Sequence, residues 1–433
     1  MRVKLLVAVS VVALVTVACT GSAAPDPTSD VADPPVATES LLLGTHDGPL
    51  VVQVPSGSVL FREPGAISSL GGAWVLSATE RQDAIGLRTL DGATGEPMFT
   101  SRLPGELEAR IVSESGRAVA LMDPLPEGWD PAVPLPRART RIVVADPAGE
   151  RDPRTFHLRG NFEPEAFSSD DGRLFMIQHL PAETPSVYRV TVLDLDRGKV
   201  LPVFGPFKGP AERMPGTRLS QLLSPDAEQL YTLYTSSRPG YAPHDAPVAS
   251  DAAVSFVHVL SLAEGWAHCV GLPKVMWDRP ADEQAMTTTP DGTYLFVIDA
   301  GRDIVAAVHT GSLEVRTTPV DLPFDGAIGW TSAQISPDGG TLYVAVSGDD
   351  NALAPAGDDG STVAALDART FEVLDTWRIS GPVSGLGVSS DGATVYAAAG
   401  GRVVLLDATS GSELGAVPIP TDQPVVRLTA LAT

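Results

Sequence analysis

"ISPDGGTLYVAVSG", residues 335–348, holds a short apolar stretch, a Ser-Pro-Asp-Gly corner and a second apolar stretch. Ser336, Pro337, Asp338 and Gly339 meet the order of a type I turn, with proline presetting φ at the second position and glycine easing the exit. The run that follows, "TLYVAVS", is almost continuously apolar instead of alternating, which predicts a strand covered on both faces.

The phrase recurs. "IVSESGRAVALMD" (111–123), "AFSSDDGRLFMIQ" (166–178), "QLLSPDAEQLYTL" (221–233), "AMTTTPDGTYLFVID" (285–299) and "GLGVSSDGATVYAAA" (385–399) fit the same template, with a weaker copy at 68–79. Each copy is followed by a second apolar hairpin turning around Asp or Gly, such as "TVAALDARTFEVLDTW" and "RVVLLDATSGSELGAV". The unit is therefore four strands, a to d, recurring roughly every 40–60 residues, the range of propeller blades. No long helical periodicity appears outside the first residues, and Gly and Pro punctuate the chain.

Seven full units lie between 66 and 420, and two pieces are left over: 40–61 reads as strands b, c and d, and 424–433 as a lone strand a. Together they complete one blade from both ends of the chain, a clasp that leaves no open sheet edge in the ring. The fold predicted is an all-β propeller of eight four-stranded blades, seven being the alternative if the weak 66–104 unit is not a blade.

The "SPDG..LYV" phrase followed by "V..LD..TG..L" resembles the YVTN, or YncE-like, β-propeller repeat family, over roughly 41–433. "LYVAVS" and "VYAAAG" stand where that family carries its Tyr-Val-Thr-Asn run. The resemblance implies a WD40-like ring and leaves function open, because such propellers serve many roles.

At the start of the chain, "MRVK" is basic, "LLVAVSVVALVTV" apolar and short for a membrane span, and "TVAC" ends the run at Cys19. This layout resembles the bacterial lipoprotein signal and implies a signal peptide over 1–18, with Cys19 lipidated as the mature N-terminus. Residues 19–39, rich in Pro, Ala, Ser, Thr and Asp, read as a flexible tether, and 40–433 as a single propeller domain. The expected location is the outer face of the bacterial cytoplasmic membrane, reached through the lipid anchor alone. Besides Cys19 only Cys269 is present, so the domain has no disulfide framework and must rely on its core. A net charge of −23 excludes nucleic acid as a partner class.

In an a-to-d meander the stereotyped a–b corners and c–d turns share one end of each blade, and the b–c loops and d–a crossings share the other. The long, irregular segments all fall at the second end: 124–141, 181–187, 236–253 and 348–361 after strand b, and crossings 205–218, 272–284 and 322–332. Loops of this length in a folded domain tend to carry function. They supply the binding-face candidates Trp129, Arg137, Arg139, Arg238, Tyr241, His244, Trp277 and Trp330, with Arg141 beside them and an acidic lobe at Asp349, Asp350, Asp358 and Asp359. Aromatics with arginine are the anchors of protein and glycan sites.

The seven histidines show no metal-ligand spacing, the acidic lobe lacks the Asp-x-Asp-x-Asp-Gly order of calcium loops, and no nucleophile elbow or phosphate loop is present. No metal or other cofactor is predicted. Asp194, Asp367 and Asp407 recur at one place in the unit, the c–d turn, and read as turn formers. The leading functional expectation is a surface lipoprotein that binds a protein, peptide or glycan of the cell envelope through its long-loop face. The alternative, implied by the resemblance, is a propeller enzyme, lactonase-like or a cofactor-dependent dehydrogenase, with a site in the central channel. Arg110, Glu165 and Glu283, near the starts of a strands, are the channel candidates.

Overall fold

Eight four-stranded antiparallel sheets, one per repeat, form the blades of a β-propeller in the computed structural model. The structure describes residues 38–45, 47–81, 83–129, 133–205, 214, 217–235, 255–277, 283–324, 328–348, 360–420, 425 and 427–431. Blades two to eight follow one another as meanders within 67–104, 108–159, 161–202, 217–271, 284–319, 330–379 and 383–418. Blade one is assembled from both ends of the domain. Its outer strands are Glu39–Thr45, Gly48–Val54 and Ser58–Arg62, and its inner strand is Arg427–Leu431. That strand pairs antiparallel with Glu39–Thr45, from Ser40 opposite Leu431 to Gly44 opposite Arg427. The count is eight, the 66–104 unit included. The described residues contain no α-helix, only 3₁₀ turns such as Lys274–Met276 and Ala300–Arg302.

The continuously apolar b strands are explained by the seams between blades. In blade seven, Val344 packs with Phe296 and Ile298 of blade six, while its neighbours Tyr343 and Ala345 pack with Val395 and Ala397 of blade eight. Successive side chains point to opposite faces, and here both faces are covered, so neither needs to be polar. The outermost strand of the same blade, Val373–Ile379, buries only Trp377 and Ile379. Hydrophobic burial thus lies in a circuit of seams, each side chain contributing about 1.5–3 kcal/mol.

The corner is built from its own side chains. The Gly339 N–H donates to the Ser336 carbonyl at 2.8 Å, and Gly339 takes a φ of 71°. Asp338 Oδ1 accepts the Ser336 hydroxyl and the Gly340 N–H, and Ser336 Oγ accepts the Thr341 N–H at 2.9 Å. At the c–d turns, Asp367 Oδ1 accepts the N–H groups of Arg369 and Thr370 at 2.9 and 2.8 Å, and Asp407 repeats the pattern with Thr409 and Ser410. Hydrogen bonds to the ionised form hold these carboxyls low; the Thr289 hydroxyl leads in bringing Asp291 down to about 2. The repeated aspartates are turn formers.

Blade five breaks the corner rule. Ala227 occupies the position of Gly339 with a φ of 59°. A Cβ in that region costs about 1–2 kcal/mol, and the extra freedom of an unfolded glycine returns part of it. Ala227→Gly is therefore expected to raise stability by about 0.5–1 kcal/mol, and Gly339→Ala to lower it by a similar amount. Urea unfolding midpoints of the two variants check the opposite signs.

Candidate functional site at the channel mouth

The inner strand of blade four, Asn161–Phe167, reads "NFEPEAF", and its polar residues Asn161, Glu163 and Glu165 alternate along it. A bulge between Pro164 and Ala166 locally shifts its register. Glu163 and Glu165 line a cavity of about 590 Å³ walled by inner-strand residues of blades two to five and by the b–c insertion of blade three. That insertion places the cavity at the long-loop end of the channel.

Two ionic clusters lie along its lining. Arg137 Nη2 donates to Glu163 Oε2 at 2.8 Å, Arg110 Nε lies 3.5 Å from Glu163 Oε1, and Arg110 Nη1 donates to Glu108 Oε1 at 2.9 Å. Beside them, Arg218 Nη1 and Gln221 Nε2 donate to the two oxygens of Glu165 at 3.2 and 2.7 Å. The Glu165 side chain is 3% exposed and that of Arg218 52%. Burial pushes the Glu165 carboxyl up, with Arg218 opposing. For Arg218 burial works against the charge, but Glu165, Tyr234 and Glu163 outweigh it, so its pKa lies above the usual value. Its exposure is to a walled cavity, where bulk water screens these neighbours poorly.

The insertion is tied down from beneath. Asn161, fully buried, donates from Nδ2 to the carbonyls of Leu135 and Ala182 at 2.8 and 3.2 Å. Glu108 Oε2 accepts the Leu125 N–H at 3.1 Å. His179 also lines the cavity, edge-on to Tyr188 at 6.2 Å, and Tyr188 in turn lies 5.4 Å from Tyr234. Burial, then the charges of Arg137 and Arg218, bring His179 down to about 4, so it is neutral at pH 7. Its Nδ1 is buried and has no hydrogen-bond partner among the described residues.

Of the channel candidates, Arg110 and Glu165 line this cavity, each tied to a different cluster, and the buried Glu283 is not among its lining residues. Of the face candidates, Arg137 turns into the cavity, and Arg139 is exposed at the start of the strand Arg139–Ala145. Arg141, in the same strand, is paired with Asp123. Trp129 donates its indole N–H to the Val133 carbonyl at 2.7 Å, and Trp277 to that of Leu272 at 2.8 Å, so each staples its own loop. Trp330 opens the inner strand of blade seven, opposite Ser347. Cys19, Arg238, Tyr241, His244 and the acidic lobe Asp349, Asp350, Asp358 and Asp359 lie outside the described residues. Among the described residues no three His, Cys, Asp or Glu gather to hold a metal.

Arg218, read from sequence as the last residue of the crossing 205–218, instead belongs to the inner strand Thr217–Leu223 and reaches Glu165 of the neighbouring blade. Glu163, Gln221, His179 and Tyr188 were not singled out from sequence. The signal for Glu163 was present, since carboxylates at 163 and 165 fall two apart in a strand that lines the channel.

No family model matches the chain. No curated protein matches it either. Among solved structures it is similar to the apo form of AztD from Citrobacter koseri, at 15% identity over 91% of this chain and 98% of that one, with a TM-score of 0.52. It is also similar to a protein from Bacteroides fragilis assigned as a 6-phosphogluconolactonase, at 12% identity over 92% and 100%, with a TM-score of 0.45. At such identities the likeness to AztD is one of fold.

Proposed function

We propose that this chain is a surface-tethered binding protein whose long-loop mouth receives a protein, peptide or glycan of the cell envelope. In this reading 1–18 is a signal peptide, Cys19 carries the lipid on the outer face of the cytoplasmic membrane, 19–39 is the tether and 40–433 is a propeller of the YVTN, or YncE-like, kind. The observation that carries it is the cavity at the long-loop mouth, where Arg137 from an insertion meets Arg110, Glu163, Glu165 and Arg218 from the inner strands of three blades. Concave sites with apolar walls and a few convergent polar groups are the usual form of a binding pocket.

The test compares partners captured by the full chain from detergent-solubilised envelope with those captured by Val133→Trp, which puts bulk at the exposed rim of the cavity. Loss of a wild-type partner in the variant is the expected result. The same partners in both overturn the assignment of the mouth as the site.

A second reading, a propeller enzyme of the lactonase or dehydrogenase kind, draws on Glu165, a buried carboxyl with a raised pKa beside an arginine in a cleft. Turnover of a lactone by the wild type that Glu165→Gln abolishes would favour it over simple binding.

A further inference from the structure

The structure assigns Arg218 as the anchor of a carboxylate subsite in the channel-mouth cavity, the ligand being a carboxylate carried on an apolar body. This rests on the reading of that cavity as the binding site and names the chemistry it selects.

Arg218 is the guanidinium that the cavity leaves available. Arg110 and Arg137 have side chains 12% and 15% exposed, and both converge on Glu163. Arg218 is 52% exposed and, among the described residues, makes one hydrogen bond, from Nη1 to Glu165, so among these residues its other N–H donors remain for a ligand. A planar guanidinium takes a carboxylate through two parallel hydrogen bonds. Glu165, itself held by the Gln221 amide, fixes the guanidinium from the buried side, so little order is lost when the anion arrives.

The charge balance limits the anion. The lining holds three arginines, Arg110, Arg137 and Arg218, against three glutamates, Glu114, Glu163 and Glu165. That balance leaves no net positive charge, so each negative charge placed beside Arg218 is repelled by Glu163 and Glu165; a dianion meets that repulsion twice over, and a monoanion only once. The walls define the rest of the ligand. Leu125, Val133, Pro134 and Leu135 of the insertion, with Pro49 of the closing blade, present apolar surface to the cavity. Such walls suit an apolar side chain and reject a body rich in hydroxyls, which would lose its hydrogen bonds to water there. A free branched or aromatic acid and the C-terminal residue of a peptide share this chemistry.

The experiment measures binding to the full chain in detergent micelles by calorimetry. The probes are N-acetyl-leucine, N-acetyl-leucinamide, and a short peptide ending in leucine with a free or an amidated terminus. The free carboxylates are expected to bind about 10-fold or more tightly than their amides, the worth of a charge-assisted bond. Glu165→Gln is expected to tighten binding several-fold by removing the competing charge. Because Arg218→Met alone would strand a buried carboxylate, the loss of binding is read in the double variant Arg218→Met/Glu165→Gln, whose fold is checked by its melting curve.

A peptide terminus favoured over the free acid, or the reverse, supports the subsite and tells the two sources apart. Equal binding of acid and amide, unchanged binding by the double variant, or no binding of any probe at millimolar concentration overturns the subsite. If Val133→Trp still abolishes partner capture in that event, the mouth stands as the site and only the carboxylate chemistry falls. Capture indifferent to Val133→Trp removes the reading beneath it.

Discussion

Deleting residues 427–433 is expected to leave a protein that no longer folds cooperatively. The loss removes the inner strand of blade one, and with it the pairing of Ser40–Gly44 that closes the ring. Leu428, 6% exposed, sits in the seam between blades eight and one with Leu41, Leu43, Tyr396 and Val403. It fits because Gly387 has no side chain; a Cβ there would come within 2.1 Å of a Leu428 methyl carbon. Burial of one leucine and a five-residue ladder together amount to about 5 kcal/mol or more, comparable with the whole stability of many domains. Arg427, whose guanidinium donates to the Leu70 carbonyl, adds a tie to blade two. The buried carboxylate of Glu39, which accepts the Ser390 N–H at 2.8 Å and the Tyr396 hydroxyl at 2.9 Å, survives the deletion and ties the strand Glu39–Thr45 to blade eight, but it supplies neither the ladder nor the buried leucine. Urea unfolding followed by circular dichroism checks this. Leu428→Ala, which keeps the ladder, is expected to lose about 2–4 kcal/mol, with one sharp transition retained. A deleted protein that melts within a few degrees of the intact one would show that the closing strand is dispensable.

The ring was legible in the sequence because its determinants are local and repeated. Ser336, Asp338 and Gly339 make their turn within five residues, and the b strands announce burial on both faces by losing alternation. The closure was legible by subtraction, since 40–61 supplied three strands and 424–433 the missing fourth. The site is a different kind of object. Arg137 meets Glu163 at a separation of 26 residues, and Arg218 meets Glu165 at 53, each across a blade boundary. No local period links such pairs. Arg218 was hidden for a further reason: the crossing was read two residues past Pro215 and Gly216, the turn residues that precede the strand, so its arginine merged with the crossing before it. Arg110 and Glu165 could be named because few charged residues fall in the inner strands, where a charge needs a partner or a purpose. What the sequence placed on two separate surfaces, the long-loop face and the channel, becomes one cavity because an insertion folds back over the mouth.

Acid is expected to weaken the propeller in two stages, and the first belongs to histidine. His258, in the strand Ser255–Ser261 of blade five, is 5% exposed and stands edge-on to Tyr234 at 6.4 Å. Burial, reinforced by the charge of His268, brings its pKa down to about 4 from an ordinary value of 6.5. Between those values the unfolded chain takes up a proton that the folded one refuses, so stability rises with pH across that window and is lost as pH falls. The loss begins below pH 6.5, reaches about 2 kcal/mol at pH 5 and about 3 kcal/mol at pH 4, then levels off. His179, lowered to the same value, acts in the same window and direction. The turn aspartates make the second stage. Their folded pKa values are depressed, so their contribution is full above the ordinary carboxylate range and disappears as pH falls through the lowered values, about 2 for Asp291. His258→Gln separates the stages. Unfolding free energies from urea titrations at pH 7.5 and 5 should differ by about 2 kcal/mol less in the variant than in the wild type, while both share the further loss below pH 4. An unchanged difference between the two pH values would mean that His258 takes up its proton in the folded blade, and that the cluster around Tyr234 opens to water before the ring does.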